Sequence, residues 1–176
     1  MKTKMNDKNW LRSLLAILVI GVSMLWTSNA MAQNQNFTGT WQLNESKSNL
    51  PEMGFRRPAL KITATQDNVA LNTERLSKGR DGEDRITKEA ITLDGKECEN
   101  VVFQDRKRKS VATWSADGKQ LTIKSVMTFE FNGESREMKS MEVWQLSDDK
   151  STLTINSTSD GRDGEIKSIL VYEKAK

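Results

Sequence analysis

Hydrophobic residues along most of this chain recur at every second position. In the stretch 121–131, Leu121, Ile123, Ser125, Met127, Phe129 and Phe131 fall on one side of an extended backbone. Thr122, Lys124, Thr128 and Glu130 fall on the other, with Val126 the one departure. That alternation is the period of a strand with one face in a core and one in water. Leu153 and Ile155 repeat it, as do Leu60, Ile62 and Ala64, then Val69, Leu71 and Thr73. Beyond the first 32 residues no stretch sustains the i, i+3, i+4, i+7 spacing of an amphipathic helix.

Turn signals separate these runs: Gln66-Asp67-Asn68, Gly79-Arg80-Asp81-Gly82, Asp94-Gly95, Asp117-Gly118, Asn132-Gly133 and Asp163-Gly164. Asn-Gly and Asp-Gly supply the positive φ that tight hairpins need. The pattern predicts strands at 37–43, 59–66, 69–77, 84–93, 98–104, 108–115, 119–131, 134–146, 151–159 and 164–173. Neighbours in sequence should pair antiparallel, and the sheet should close because open edges invite aggregation. The predicted fold is therefore all-β, an antiparallel up-and-down β-barrel of about 8–10 strands.

One phrase is written twice. Ser115–Ser125 reads SADGKQLTIKS and Ser147–Ser157 reads SDDKSTLTINS, and a Trp precedes each copy, Trp114 and Trp144. A shorter echo links SKGRDGE at Ser77–Glu83 with SDGRDGE at Ser159–Glu165. The two spacings do not share a period, so the repeats read as hairpin corners used twice within one barrel, not as a solenoid or propeller.

The first residues follow another logic. Lys2, Lys4, Lys8 and Arg12 precede an uncharged apolar run from Leu14 to Trp26, and Ala30-Met31-Ala32 ends it. A basic start, a short apolar middle and an A-x-A end predict a secretory signal peptide over residues 1–32, with a barrel domain over 33–176. The apolar run is shorter than the roughly 20 residues of a spanning helix. The expected location is therefore periplasmic or secreted, with no stable membrane span after cleavage. Of 27 basic and 24 acidic residues, the leader holds four and one, so 23 of each remain. A balanced domain offers no electrostatic footprint for nucleic acid.

Chemistry is constrained by what is missing. The chain has no His, which removes the usual general base, the Ser-His-Asp triad and His-ligated zinc. Its single Cys, Cys98, forms no internal disulfide and reads as a half-buried filler. Neither phosphate-binding glycine motif occurs. The chain is expected not to be an enzyme, with no catalytic residues, no cofactor and no metal. A carboxylate pair remains the conceivable catalytic device, and Glu142 is the acid to inspect first because it shares a strand face with Trp144. The acidic turns Gly79–Asp84 and Asp160–Glu165 lack the ligand spacing of an EF-hand and read as solvated hairpins. Arg106-Lys107-Arg108-Lys109 reads as a hairpin tip that discourages edge pairing, with contact to an anionic surface as the alternative.

The face predicted to point inward mixes Met, aromatic and small hydroxyl side chains. Thr73, Ser125, Met127, Phe129, Met138, Trp144 and Ser157 are the candidate ligand-binding residues. A mostly apolar pocket with a few orienting polar groups is what a small-molecule site looks like. Packing alone is the competing reading for Trp41, Trp114 and Trp144.

Phe37-Thr38-Gly39-Thr40-Trp41-Gln42-Leu43-Asn44 resembles the G-x-W signature on the first strand of lipocalins and their calycin relatives. The wider pattern comprises G-T-W-x-L-N-x-x-x-S from Gly39, L-D-G-K-E from Leu93, W-S-A-D-G-K-x-L-T-I from Trp114, W-x-L-S-x-D from Trp144 and V-Y-E-K from Val171. It resembles lipocalin-like proteins exported by many bacteria. The resemblance implies a calycin-type barrel with a Trp plugging one end. It carries over no agreed ligand or catalytic set. The expected function is interior binding of a small, partly apolar or amphipathic ligand by a monomer. The alternative is an envelope protein–protein interaction module with a filled barrel core.

Overall fold

The computed structural model describes residues 33–50, 58–79, 81–103, 106–131, 133–161 and 164–175. Their strands are β1 (Gly39–Leu43), β2 (Lys61–Gln66), β3 (Ala70–Lys78), β4 (Asp84–Thr92) and β5 (Glu97–Phe103). β6 (Arg106–Trp114), β7 (Gln120–Phe131), β8 (Glu134–Leu146), β9 (Thr152–Gly161) and β10 (Gly164–Lys174) follow. All ten lie in one sheet of order β4-β3-β2-β1-β10-β9-β8-β7-β6-β5. Every ladder is antiparallel, and β1 pairs with β10, the first strand with the last. This is the up-and-down barrel that the alternation predicts, with ten strands.

The register lines up the inward residues. Leu121 faces Trp144 and Trp144 faces Ile155, while Leu146 faces Leu153 and Leu153 faces Tyr172. Trp41, Ile62, Leu71, Leu121, Trp144, Leu153, Ile155 and Tyr172 are all at most 1% exposed. Full burial of such a Leu or Ile is worth about 1.5–3 kcal/mol. The first strand is shorter than the predicted 37–43. Thr38 N–H donates to Asn36 Oδ1 and Phe37 N–H to Gln66 Oε1, which turns residues 35–38 across the barrel end. Phe37 is thereby buried completely instead of extending β1.

The repeated phrase is one turn built twice. Ser115 Oγ donates to Asp117 Oδ1 at 2.6 Å and accepts from Gln120 N–H at 2.9 Å. Ser147 Oγ donates to Asp149 Oδ1 at 2.6 Å and accepts from Thr152 N–H at 3.0 Å. The fourth residue of each turn takes positive φ: Gly118 at 65° in the first, Lys150 at 57° in the second. A lysine tolerates that region poorly, so the serine–aspartate bonds hold it there.

Closure differs from the expectation of a barrel sealed all round. Among the described residues no backbone ladder joins β4 to β5, although a short turn connects them. Side chains bridge the seam instead. Asn100 accepts from Ala90 N–H at 2.8 Å and donates to Ala90 C=O at 2.9 Å, so its amide imitates a ladder pair. Arg108 on β6 reaches past β5 to Glu89 on β4, and both are buried.

That pair corrects the reading of Arg106–Lys109 as a hairpin tip. The run lies on β6, where period-2 alternation splits it. Lys107 and Lys109 point outward and pair with Glu99 and Glu97 at 2.8 and 2.9 Å. Arg108 points inward. Consecutive basic letters conceal two faces.

Candidate functional site

Three kinds of surroundings follow one another inside the barrel, from the Ser115 and Ser147 turns toward the opposite end. The first is an aromatic plug. Phe37 stacks on Trp114 with ring centres 5.8 Å apart and meets Trp144 edge-on at 5.5 Å. Trp41 Nε1–H donates to Phe37 C=O at 2.9 Å. Tyr172 is sealed beside them, and burial pushes its hydroxyl pKa well above the ordinary tyrosine range.

Above the plug lies a polar layer. Arg75 on β3 and Glu142 on β8 stand five strands apart in either direction round the sheet, on opposite walls. Their side chains meet in the middle as a bidentate pair, Nη1 to Oε1 at 2.9 Å and Nη2 to Oε2 at 2.7 Å. Trp144 Nε1–H donates to the same Glu142 Oε2 at 2.9 Å, and the Arg75 guanidinium sits 5.3 Å from the Trp144 ring centre. Burial alone would favour loss of the Arg75 proton, but the Glu142 charge outweighs it and raises the pKa further. Arg108 holds both oxygens of Glu89, and Ser110 and Ser125 share a hydrogen bond of 2.8 Å. Among the described residues, two buried side-chain atoms of this layer lack a protein partner, Thr73 Oγ1 and Arg75 Nε.

Toward the other end, the inward face becomes accessible. Met127 and Met138 sit opposite each other across β7 and β8. Together with Phe129, Ser140, Ser157, Ser159 and Ser168 they are only half-buried, although all lie on the inward register. Arg106 places its guanidinium 5.8 Å from the Phe129 ring centre.

All seven candidate residues thus lie on the inward face, but in different surroundings. Thr73 and Ser125 belong to the polar layer, Trp144 to the plug, and Met127, Phe129, Met138 and Ser157 to the accessible half. The buried arginines and Glu89 escaped sequence reasoning. Their positions at inward parity on β3, β4 and β6 were the available signal. Parts of both echoed hairpins, at Arg80 and at Arg162-Asp163, fall outside the described residues. Among the described residues no group of three or more His, Cys, Asp or Glu gathers to hold a metal. No helix among them is long and apolar enough to cross a membrane. A cleft of about 240 Å³ is lined by Asn49, Asn156, Thr158, Lys167 and Ile169 and also by Ser157 and Ser168 of the accessible half.

No protein-family model matches the chain. No curated protein sequence matches it. Among solved structures, it is similar to zebrafish ileal bile acid-binding protein complexed with cholic acid, at 17% identity and a TM-score of 0.49. The likeness covers 79% of this chain and 98% of that one.

Proposed function

We propose that this chain is an exported, non-catalytic, lipocalin-like barrel that binds a small amphipathic molecule in the accessible half of its interior. The observation that carries the reading is the contrast along one inward face. Phe37, Trp41, Trp144 and Tyr172 at the plug are at most 1% exposed, whereas Met127, Phe129, Met138 and Ser157 on the inward register remain half-buried. Thioethers, a phenyl ring and serine hydroxyls converging on accessible interior space suit an apolar body with a few polar groups.

The carboxylates inside the barrel argue for binding and against catalysis. A general acid or base has to reach the proton it transfers. Both oxygens of Glu142 are engaged by Arg75, one of them also by Trp144, and both oxygens of Glu89 by Arg108. The filled plug suits the alternative of an interaction module, but the accessible half favours a ligand.

Thermal-shift and native mass spectrometry against a lipid and metabolite panel test the proposal. Binding should be lost or weakened when Met127 or Met138 is replaced by Arg, which would fill the interior with a charged side chain. Stabilisation by no member of the panel would overturn it. Fractionation of the producing cells tests export, which predicts a mature chain beginning after Ala32.

A further inference from the structure

We infer that the ligand presents a neutral hydrogen-bonding group, a hydroxyl above all, to Thr73 and Arg75 in the polar layer. This rests on the interior-binding reading and names the chemistry of its deep end.

Among the described residues, two buried side-chain atoms of the polar layer have no protein partner. Glu142 receives Arg75 and Trp144, Glu89 receives Arg108, and Ser110 pairs with Ser125. Thr73 Oγ1 and Arg75 Nε lie two residues apart on the same face of β3, both buried and neither with a protein partner. Thr73 is 4% exposed. Buried polar atoms are nearly always paired, because leaving one unpaired forfeits its hydration. Two orphans on one strand face therefore mark a place where something else completes the layer.

The chemistry of the two atoms selects the group. Arg75 Nε–H can only donate, while the Thr73 hydroxyl can donate or accept. A ligand hydroxyl can accept from Arg75 and donate to Thr73, which satisfies all three partners. Charge selects against an ion. The layer holds two guanidinium groups and two carboxylates already matched, Arg75 with Glu142 and Arg108 with Glu89. A carboxylate lodged there would add a buried charge with no counterpart, and an ammonium would face the Arg75 donor.

The test compares 1-dodecanol, dodecanoate and dodecylammonium at neutral pH, by calorimetry, on the wild type, Thr73→Val and Thr73→Ser. Dodecanol should bind tightest to the wild type. Thr73→Val should weaken dodecanol by roughly fivefold to tenfold, the scale of one hydrogen bond, and leave dodecanoate unchanged. Thr73→Ser should restore the preference. Denaturant unfolding should show the ligand-free Val variant to be at least as stable as the wild type, since it removes an unpaired hydroxyl without changing shape. Unchanged dodecanol affinity in Thr73→Val, as expected if only ordered water serves these atoms, would overturn the inference. So would dodecanoate binding as tightly as dodecanol, and in both cases interior binding would stand. If none of the three probes binds, the underlying reading for single-chain amphiphiles falls with it.

Discussion

Arg75 and Glu142 reach from opposite walls of the barrel and form a bidentate ion pair at its centre, on top of the Trp144 indole. The pair divides a packed aromatic end from an accessible one. It also links two strands that share no ladder, so it braces the barrel across its width.

Breaking that brace from one side should be costly. Glu142→Gln leaves the Arg75 charge without its counterion and should lower stability by about 3–5 kcal/mol. Replacing both residues, Arg75→Met with Glu142→Leu, removes the charges together and should recover most of the loss. Urea unfolding of Arg75→Met, Glu142→Leu and the double variant measures the coupling.

The seam between β4 and β5 depends on an amide side chain. Asn100→Ala removes both bonds to Ala90 and should make the Ala90 N–H one of the fastest-exchanging amides of β4. Because the site is exposed, the loss in global stability should stay near 1 kcal/mol. Hydrogen exchange read residue by residue checks this, with Leu71 and Ile91 expected to keep their protection.

The twin turns make a matched pair of backbone experiments. Lys150→Gly relieves a positive φ and should stabilise the protein by about 0.5–1 kcal/mol after the entropic penalty of glycine. Gly118→Ala imposes the same strain on the other copy and should destabilise it by about 1 kcal/mol. Thermal unfolding of the two variants should therefore move in opposite directions.

Acid should act on the same turns. The Ser147 hydroxyl, followed by the Ser151 N–H and hydroxyl, lowers the Asp149 pKa to about 2 from 3.8. A depressed folded-state pKa contributes stability that is present above pH 3.8 and fades as pH falls toward 2. Asp117 is lowered in the same direction, with the Ser115 hydroxyl as the largest cause. Carboxyl chemical shifts followed through an acid titration should place Asp149 below Asp117, and Ser147→Ala should bring it back up.

Alkali should act on the plug. Tyr172 is the single tyrosine of the chain, so tyrosinate absorbance reports it alone. Its folded pKa is raised by burial, so its contribution to stability is complete below pH 10 and is lost as pH rises above that value. The absorbance should appear together with unfolding, and Tyr172→Phe should shift alkaline unfolding upward.

Much of the fold was legible because β-structure writes its period into local sequence. Ten strands were predicted and ten occur, since most alternating runs end at a turn residue whose φ preference is local, the Lys150 turn excepted. The candidate site was legible only by parity. Thr73, Ser125 and Ser157 could be assigned to the inward face, but nothing in their neighbours distinguished plug, polar layer and accessible half. Arg108 read as part of a hairpin tip and nothing singled out Arg75, because sequence alone does not say that a carboxylate waits inside.

Alternation and turn chemistry by themselves determined the strands, their antiparallel order and the side of the sheet each residue takes, because these depend on spacings of two and on single dihedral preferences. Only the tertiary structure decided that Arg75 finds Glu142 from the far wall, that Arg108 clasps Glu89 past an intervening strand, and that β4 and β5 close through Asn100. Those partnerships depend on how far the sheet curls before its walls meet, a distance set by the packing of all ten strands together.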